Sequence, residues 1–260
     1  MLFLIAAFIE FSYGSAYFGA AFATASMAVL LKLSRRLPPA ELKKSVPRLL
    51  TGAAVVGAVL YYNLSTGSEI KTLDSFLLML GASLILLGSG FSRVKELGYF
   101  SFYLSLVFLA LFSVVYLLPG LFNIKLPYYY GHYFITLPVA KVLTAAGLDL
   151  RVTEMNLLYV EGMTNSLVGL DLACYGFYSM FLIISATVAY GITMDVPLRR
   201  VAPVLLVLVF ASYMANFLRV STLIALAYYY GIEAMLLVHS YLGWVFFGLV
   251  LLPLMYLLLK

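Results

Sequence analysis

Three side chains of this protein are of the types that acyl transfer through a thioester requires. Cys174 is the only cysteine, His239 is one of two histidines, and Arg219 interrupts an otherwise apolar stretch. A thiol supplies a nucleophile, an imidazole titrates near neutral pH and can take and return a proton, and a guanidinium can donate to a developing oxyanion. Asn216 lies three residues before Arg219 and shares its helical face. Ser212 and Thr222 extend this polar stripe at helical spacing. Each residue also has a plain structural reading. Cys174 is then a small buried apolar side chain, Arg219 a cation snorkelling at a helix end, and His239 an interfacial side chain. A single cysteine excludes an intramolecular disulfide. One cysteine and two histidines give no metal-ligand spacing, so neither metal nor cofactor is expected. His132, beside a tyrosine cluster, reads as a surface residue.

The elements that must position these residues are membrane helices. The chain has 260 residues, 64% hydrophobic and only 10% charged, against about 25% charged in a soluble domain. That composition excludes a soluble globular domain, a disordered chain, a coiled coil and a disulfide scaffold. The apolar runs are long and continuous rather than alternating, which favours helices over a barrel. Seven spans are expected, at Leu2–Leu31, Leu49–Leu64, Leu73–Gly90, Gly98–Leu118, Cys174–Thr193, Val201–Arg219 and Val238–Leu259. The first contains Glu10, and its length and lack of a basic lead distinguish it from a cleavable signal peptide.

Basic residues orient the bundle. Lys32, Arg35, Arg36, Lys43, Lys44, Arg48, Arg93, Lys95, Arg199, Arg200 and Lys260 fall on one side under the seven-span scheme. Lys71, Lys125, Lys141, Arg151 and Arg219 fall on or near the other. The first side is expected to be cytoplasmic, with the N-terminus outside and the C-terminus inside. The net charge of +5 is therefore a topology signal, and no nucleic-acid partner is expected. Tyr61-Tyr62, Tyr128-Tyr129-Tyr130 and Tyr228-Tyr229-Tyr230 sit where outer interfacial anchors belong.

The large segment between spans four and five, Pro119–Ala173, is expected outside. Pro138 can open a short helix and Gly147 close it, with Val139, Val142, Leu143 and Ala146 on one face. Two strand-like runs follow, Arg151–Val160 and Ser166–Leu172, separated by Glu161–Asn165. Val168, Leu170 and Leu172 share one face of the second run, with Asp171 on the other. They read as a β-hairpin leading into Cys174. The expected fold is thus an all-α multi-pass membrane protein. Its parts are a four-helix region (1–118), an extracytoplasmic helix and hairpin (119–173), and a three-helix region (174–260) with the chemistry.

Under this scheme Cys174, Arg219 and His239 come from three different spans and arrive at one membrane level on the outer side. Cys174 stands near a helix N-terminus, whose dipole favours a thiolate.

On these residues the sequence resembles the exosortase/archaeosortase family of membrane cysteine transpeptidases. The matching pieces are Cys174-Tyr175-Gly176 followed by Ser179, then Asn216-Phe217-Leu218-Arg219, then His239 with Gly243 four residues on. They occur in the family's order across roughly Leu150–Leu252. The first four spans match in hydropathy alone. One departure is Tyr175, where the family commonly has a small hydroxyl residue. The resemblance implies Cys174, Arg219 and His239 as catalytic, with Asn216, Ser179, Tyr175 and Gly176 supporting them. It implies substrates that are secreted proteins bearing a C-terminal motif, a transmembrane helix and a basic cluster. These would be cut near the motif and passed to a lipid or other acceptor.

Two other functions fit the same hydropathy. A small transporter or membrane assembly subunit would use the Arg219 stripe as a path and Cys174 as packing. An inactive relative would use the site for binding alone.

Overall fold

The computed structural model of the protein describes residues 44–90, 95–246 and 253–254. The expected first span with Glu10, the basic residues from Lys32 to Lys43, Arg93 and most of the seventh span beyond Phe246 lie outside them. Four helices among the described residues are long and apolar enough to cross a membrane. They are α1 (Val46–Thr66), α2 (Thr72–Ser89), the run Lys95–Leu121, and α8 (Leu198–Tyr230). The run Lys95–Leu121 comprises α3 (Lys95–Phe112), a π-helical stretch (Ser113–Leu117) and α4 (Leu118–Leu121). The protein is mostly helical and belongs in a membrane.

The chain forms two compact units, Met1–Ala110 with Ser185–Pro197, and Leu111–Ile184 with Leu198–Lys260. In the first, α2 starts where the Asp74 carboxylate accepts the Lys71 backbone N–H at 2.9 Å, a cap that satisfies an orphan donor. Phe76 of α2 and Phe108 of α3 are both buried and stack with ring centroids 3.5 Å apart.

The second unit carries every residue singled out above for chemistry. Its segment after α4 holds α5 (Leu126–Tyr130), a π-helical stretch (Gly131–Thr136) and α6 (Leu137–Ala145). Pro138 sits in the first turn of α6, and Gly147 follows its end at φ +94°, as the sequence predicts. Val139 and Ala140 are buried whereas Val142 is exposed, so the inward face is narrower than the spacing suggests.

Three strands follow rather than two. β1 (Leu150–Glu154), β2 (Leu157–Val160) and β3 (Ser166–Gly169) form an antiparallel sheet in chain order. The run Arg151–Val160 doubles back at Met155-Asn156, because asparagine favours a turn there and the register shifts between Val152 and Glu154. Leu158 pairs with both Val152 and Val168. Leu158, Val160, Val168 and Leu170 are buried. The sheet loop is tied to the end of α8, where the Met163 N–H donates to the Tyr228 carbonyl at 2.8 Å.

A 3-10 turn (Leu172–Tyr175) leads to α7 (Phe177–Thr193), then α8 and α9 (Ile232–Phe246). Three expected boundaries are corrected here. The fifth span starts at Phe177, so Cys174 precedes the helix on its own turn. The sixth does not end at Arg219. With no breaker between Arg219 and Gly231, α8 continues about three turns further, and its 33 residues rise about 50 Å, more than the ~30 Å hydrocarbon thickness. The seventh helix begins six residues before Val238, placing His239 inside α9. Ile183 of α7 packs on Leu208 of α8, flanked by Val204 and Ala211.

Candidate active site

The site is built on the 3-10 turn, and its geometry starts with Gly176. Its φ is +78°, a left-handed conformation that glycine adopts without a Cβ penalty. A Cβ there would lie 2.6 Å from Asn216 Cγ. Glycine is thus required twice, to turn the chain into α7 and to let Asn216 approach. Asn216 uses that space. It is only 6% exposed, and its Nδ2 donates to the Cys174 carbonyl at 2.9 Å. In a low-dielectric interior, leaving that carbonyl unpaired would cost about 1–3 kcal/mol.

Ser179 and Ser212 complete the seam between α7 and α8. Ser179 Oγ donates to the Gly176 carbonyl at 2.8 Å, and Ser212 Oγ donates to Ser179 Oγ at 3.4 Å. Where apolar lipid supplies little drive for helix association, such interhelical bonds and close packing hold helices in register. Ser212, Asn216 and Arg219 thus share one face of α8, as their spacing predicts. Thr222 does not. It is exposed and donates back to the Leu218 carbonyl at 2.8 Å.

Arg219 reaches α9. Its Nη2 lies 3.4 Å from His239 Nε2. A guanidinium only donates, so Nε2 must accept and the imidazole proton resides on Nδ1. Arg219 Nε is buried without a hydrogen-bond partner, leaving a donor available beside the site.

Cys174 is 5% exposed. Burial first, and then the Asp171 carboxylate, push its thiol up to about 11, while Arg219 pulls it down. Desolvation of a buried charge therefore works against the thiolate that a helix N-terminus favours. Asp171 is the residue that the sequence reading left without a role. The Cys174 N–H lies 3.0 Å from the Asp171 carbonyl and 3.3 Å from its Oδ1. An Asp three residues before the N–H it caps is a recognisable signal. It is masked here because Asp171 continues a strand-like alternation.

Tyr175 does not stand in for the family's small hydroxyl residue in any simple way. It is 1% exposed, its ring lies edge-on to Tyr128, and its hydroxyl is buried with no hydrogen-bond partner. A Cβ on Gly131 would collide with the ring, so that glycine makes room for the tyrosine. His132 stands apart from the site, with Nδ1 3.0 Å from the Met155 carbonyl in the β1–β2 turn. Among the described residues no three His, Cys, Asp or Glu side chains gather as metal ligands.

A helical membrane chain with one thiol, on a turn whose carbonyl is held by an amide, and with a guanidinium–imidazole pair one turn further along the amide's helix, has the residue types of a thiol acyl-transfer site. The family comparison agrees with that class. The family of transmembrane exosortases matches residues 11–256, and the chain belongs to this family. No curated protein and no solved structure matches it.

Proposed function

We propose that the chain is a membrane cysteine protease/transpeptidase. It cleaves the C-terminal sorting signal of secreted, membrane-tethered proteins at the outer interface and transfers them to a lipid or other acceptor. The N-terminus faces outside and the C-terminus the cytoplasm. The observation that carries this reading is one helix face: α8 holds the Cys174 carbonyl through Asn216 and, three residues on, contacts His239 through Arg219.

The substrate carbonyl enters beside Cys174. Arg219 turns its donors from His239 Nε2 to the carbonyl oxygen, and that exchange frees the imidazole lone pair. His239 takes the thiol proton as sulfur attacks the carbonyl carbon, and the oxyanion is held by Arg219. When the tetrahedral species collapses, the peptide C–N bond breaks and the amine leaves with the proton from His239. A thioester remains on Cys174. An acceptor amine or hydroxyl attacks it, giving its proton to His239, and the thiol is restored when that proton returns.

The test is processing of a cognate substrate by the Cys174→Ala variant. The expected result is loss of cleavage with the chain folded and inserted. Cleavage at the normal rate sinks the proposal.

A further inference from the structure

Asp171 is an acidic residue on the turn that carries Cys174. Its side chain is exposed while Cys174, three residues on, is buried. The Cys174 N–H is shared between the Asp171 carbonyl and Oδ1, so the carboxylate is fixed to the turn that carries the nucleophile. From the neighbouring elements, Arg219 of α8 and His239 of α9 feel its charge, as do Tyr116, Tyr175 and Tyr178. The phenols stay neutral below about pH 10. Among the described residues, the permanent charges acting on the thiol are therefore one anion, Asp171, and one cation, Arg219.

We propose that Asp171 is a positioning residue of the active site: its carboxylate holds the Cys174 turn and opposes the pull of the Arg219 guanidinium on the thiol. The inference rests on the reading of Cys174 as the nucleophile. Its consequence is a resting thiol that keeps its proton. The carboxylate opposes thiolate formation, and Arg219 is held in balance rather than committed to a preformed thiolate. Such a site becomes reactive when a bound substrate draws Arg219 off His239 Nε2 and frees the imidazole to take the thiol proton, and stays inert to oxidants and stray electrophiles until then.

The test needs no substrate. Cys174 is the only cysteine, so alkylation of the full chain in detergent reports this thiol alone. Rates are measured from pH 7 to 10 for the wild type, Asp171→Asn, Asp171→Ser and Asp171→Glu, with thermal melting to confirm folding. Asn and Ser keep a capping oxygen and remove the charge, so either variant serves if the other fails to fold. The expected result is a profile moved down by about one pH unit, which is about tenfold faster alkylation at pH 8. Glu restores the charge and brings the rate back toward wild type. An uncharged variant no faster than wild type, or a Glu variant no slower than the uncharged ones, overturns the proposal. Failure here leaves the Cys174→Ala processing result untouched, and the reverse holds as well.

Discussion

Asn216 Nδ2 donates to the Cys174 carbonyl at 2.9 Å, joining residues 42 apart in the chain. The contact is possible because Gly176 offers no Cβ to obstruct it. Replacing Asn216 by Leu, similar in volume, leaves the carbonyl buried and unpaired. The expected cost is about 1–3 kcal/mol, read as a lowered melting temperature in detergent, with processing reduced further because the thiol turn loses its tether.

Gly176→Ala tests the same contact from the other side. It adds a Cβ at positive φ and drives it into Asn216. Strain of this kind costs about 1–3 kcal/mol before the clash is counted, so the variant is expected to melt well below wild type. Melting at the wild-type temperature would show that the turn relaxes freely.

Arg219→Lys keeps a positive charge and loses the planar fork that can contact His239 and still present Nε. Loss of an oxyanion donor costs on the order of 10²–10³ in rate. Lysine is therefore expected to fall close to Arg219→Ala in processing rate rather than near wild type.

The thiol is pushed up to about 11. Alkylation of the wild-type chain is expected to rise about tenfold per pH unit from pH 7 to 10, without the plateau an unperturbed thiol shows above its usual value near 8.5. Arg219 pulls the thiol down, so Arg219→Gln moves the profile to higher pH. At any fixed pH below the midpoint it reacts more slowly.

Gly131 and Tyr175 form a steric pair. Gly131→Ala alone is expected to destabilise the fold, and Tyr175→Ser alone to do the same by leaving a cavity, typically about 3–5 kcal/mol for a large buried aromatic cut to a small residue. In the double variant the methyl enters the vacated space. The combined loss is expected to be smaller than the two losses added, a coupling read from melting of the four proteins.

The membrane class, the helical character of the spans and the pairing of Ser212, Asn216 and Arg219 on one face were legible in the sequence. Each follows from composition or from 3.6-residue spacing, which are local properties. Pro138 and Gly147 marked α6 for the same reason, since each acts on its own backbone. Helix ends were less legible. Arg219 is a polar residue in apolar sequence and looks like a stop, yet nothing in its backbone chemistry ends a helix, and α8 runs on to Tyr230.

Tertiary structure alone decided what the functional side chains face. Sequence spacing placed Arg219 beside Asn216. Only the packing of α8 against α9 aims it at His239 Nε2, and only the thiol turn brings Asn216 to Cys174. The surroundings that push the thiol up were decided there too. A dipole can be read from position along a helix, but burial and the nearby Asp171 and Arg219 depend on contacts that bring distant parts of the chain together. The sequence by itself determined a helical membrane protein with a thiol, a guanidinium and an imidazole in order. The fold decided which of them touch, because hydrogen bonds and desolvation act over a few ångströms of space rather than along the chain.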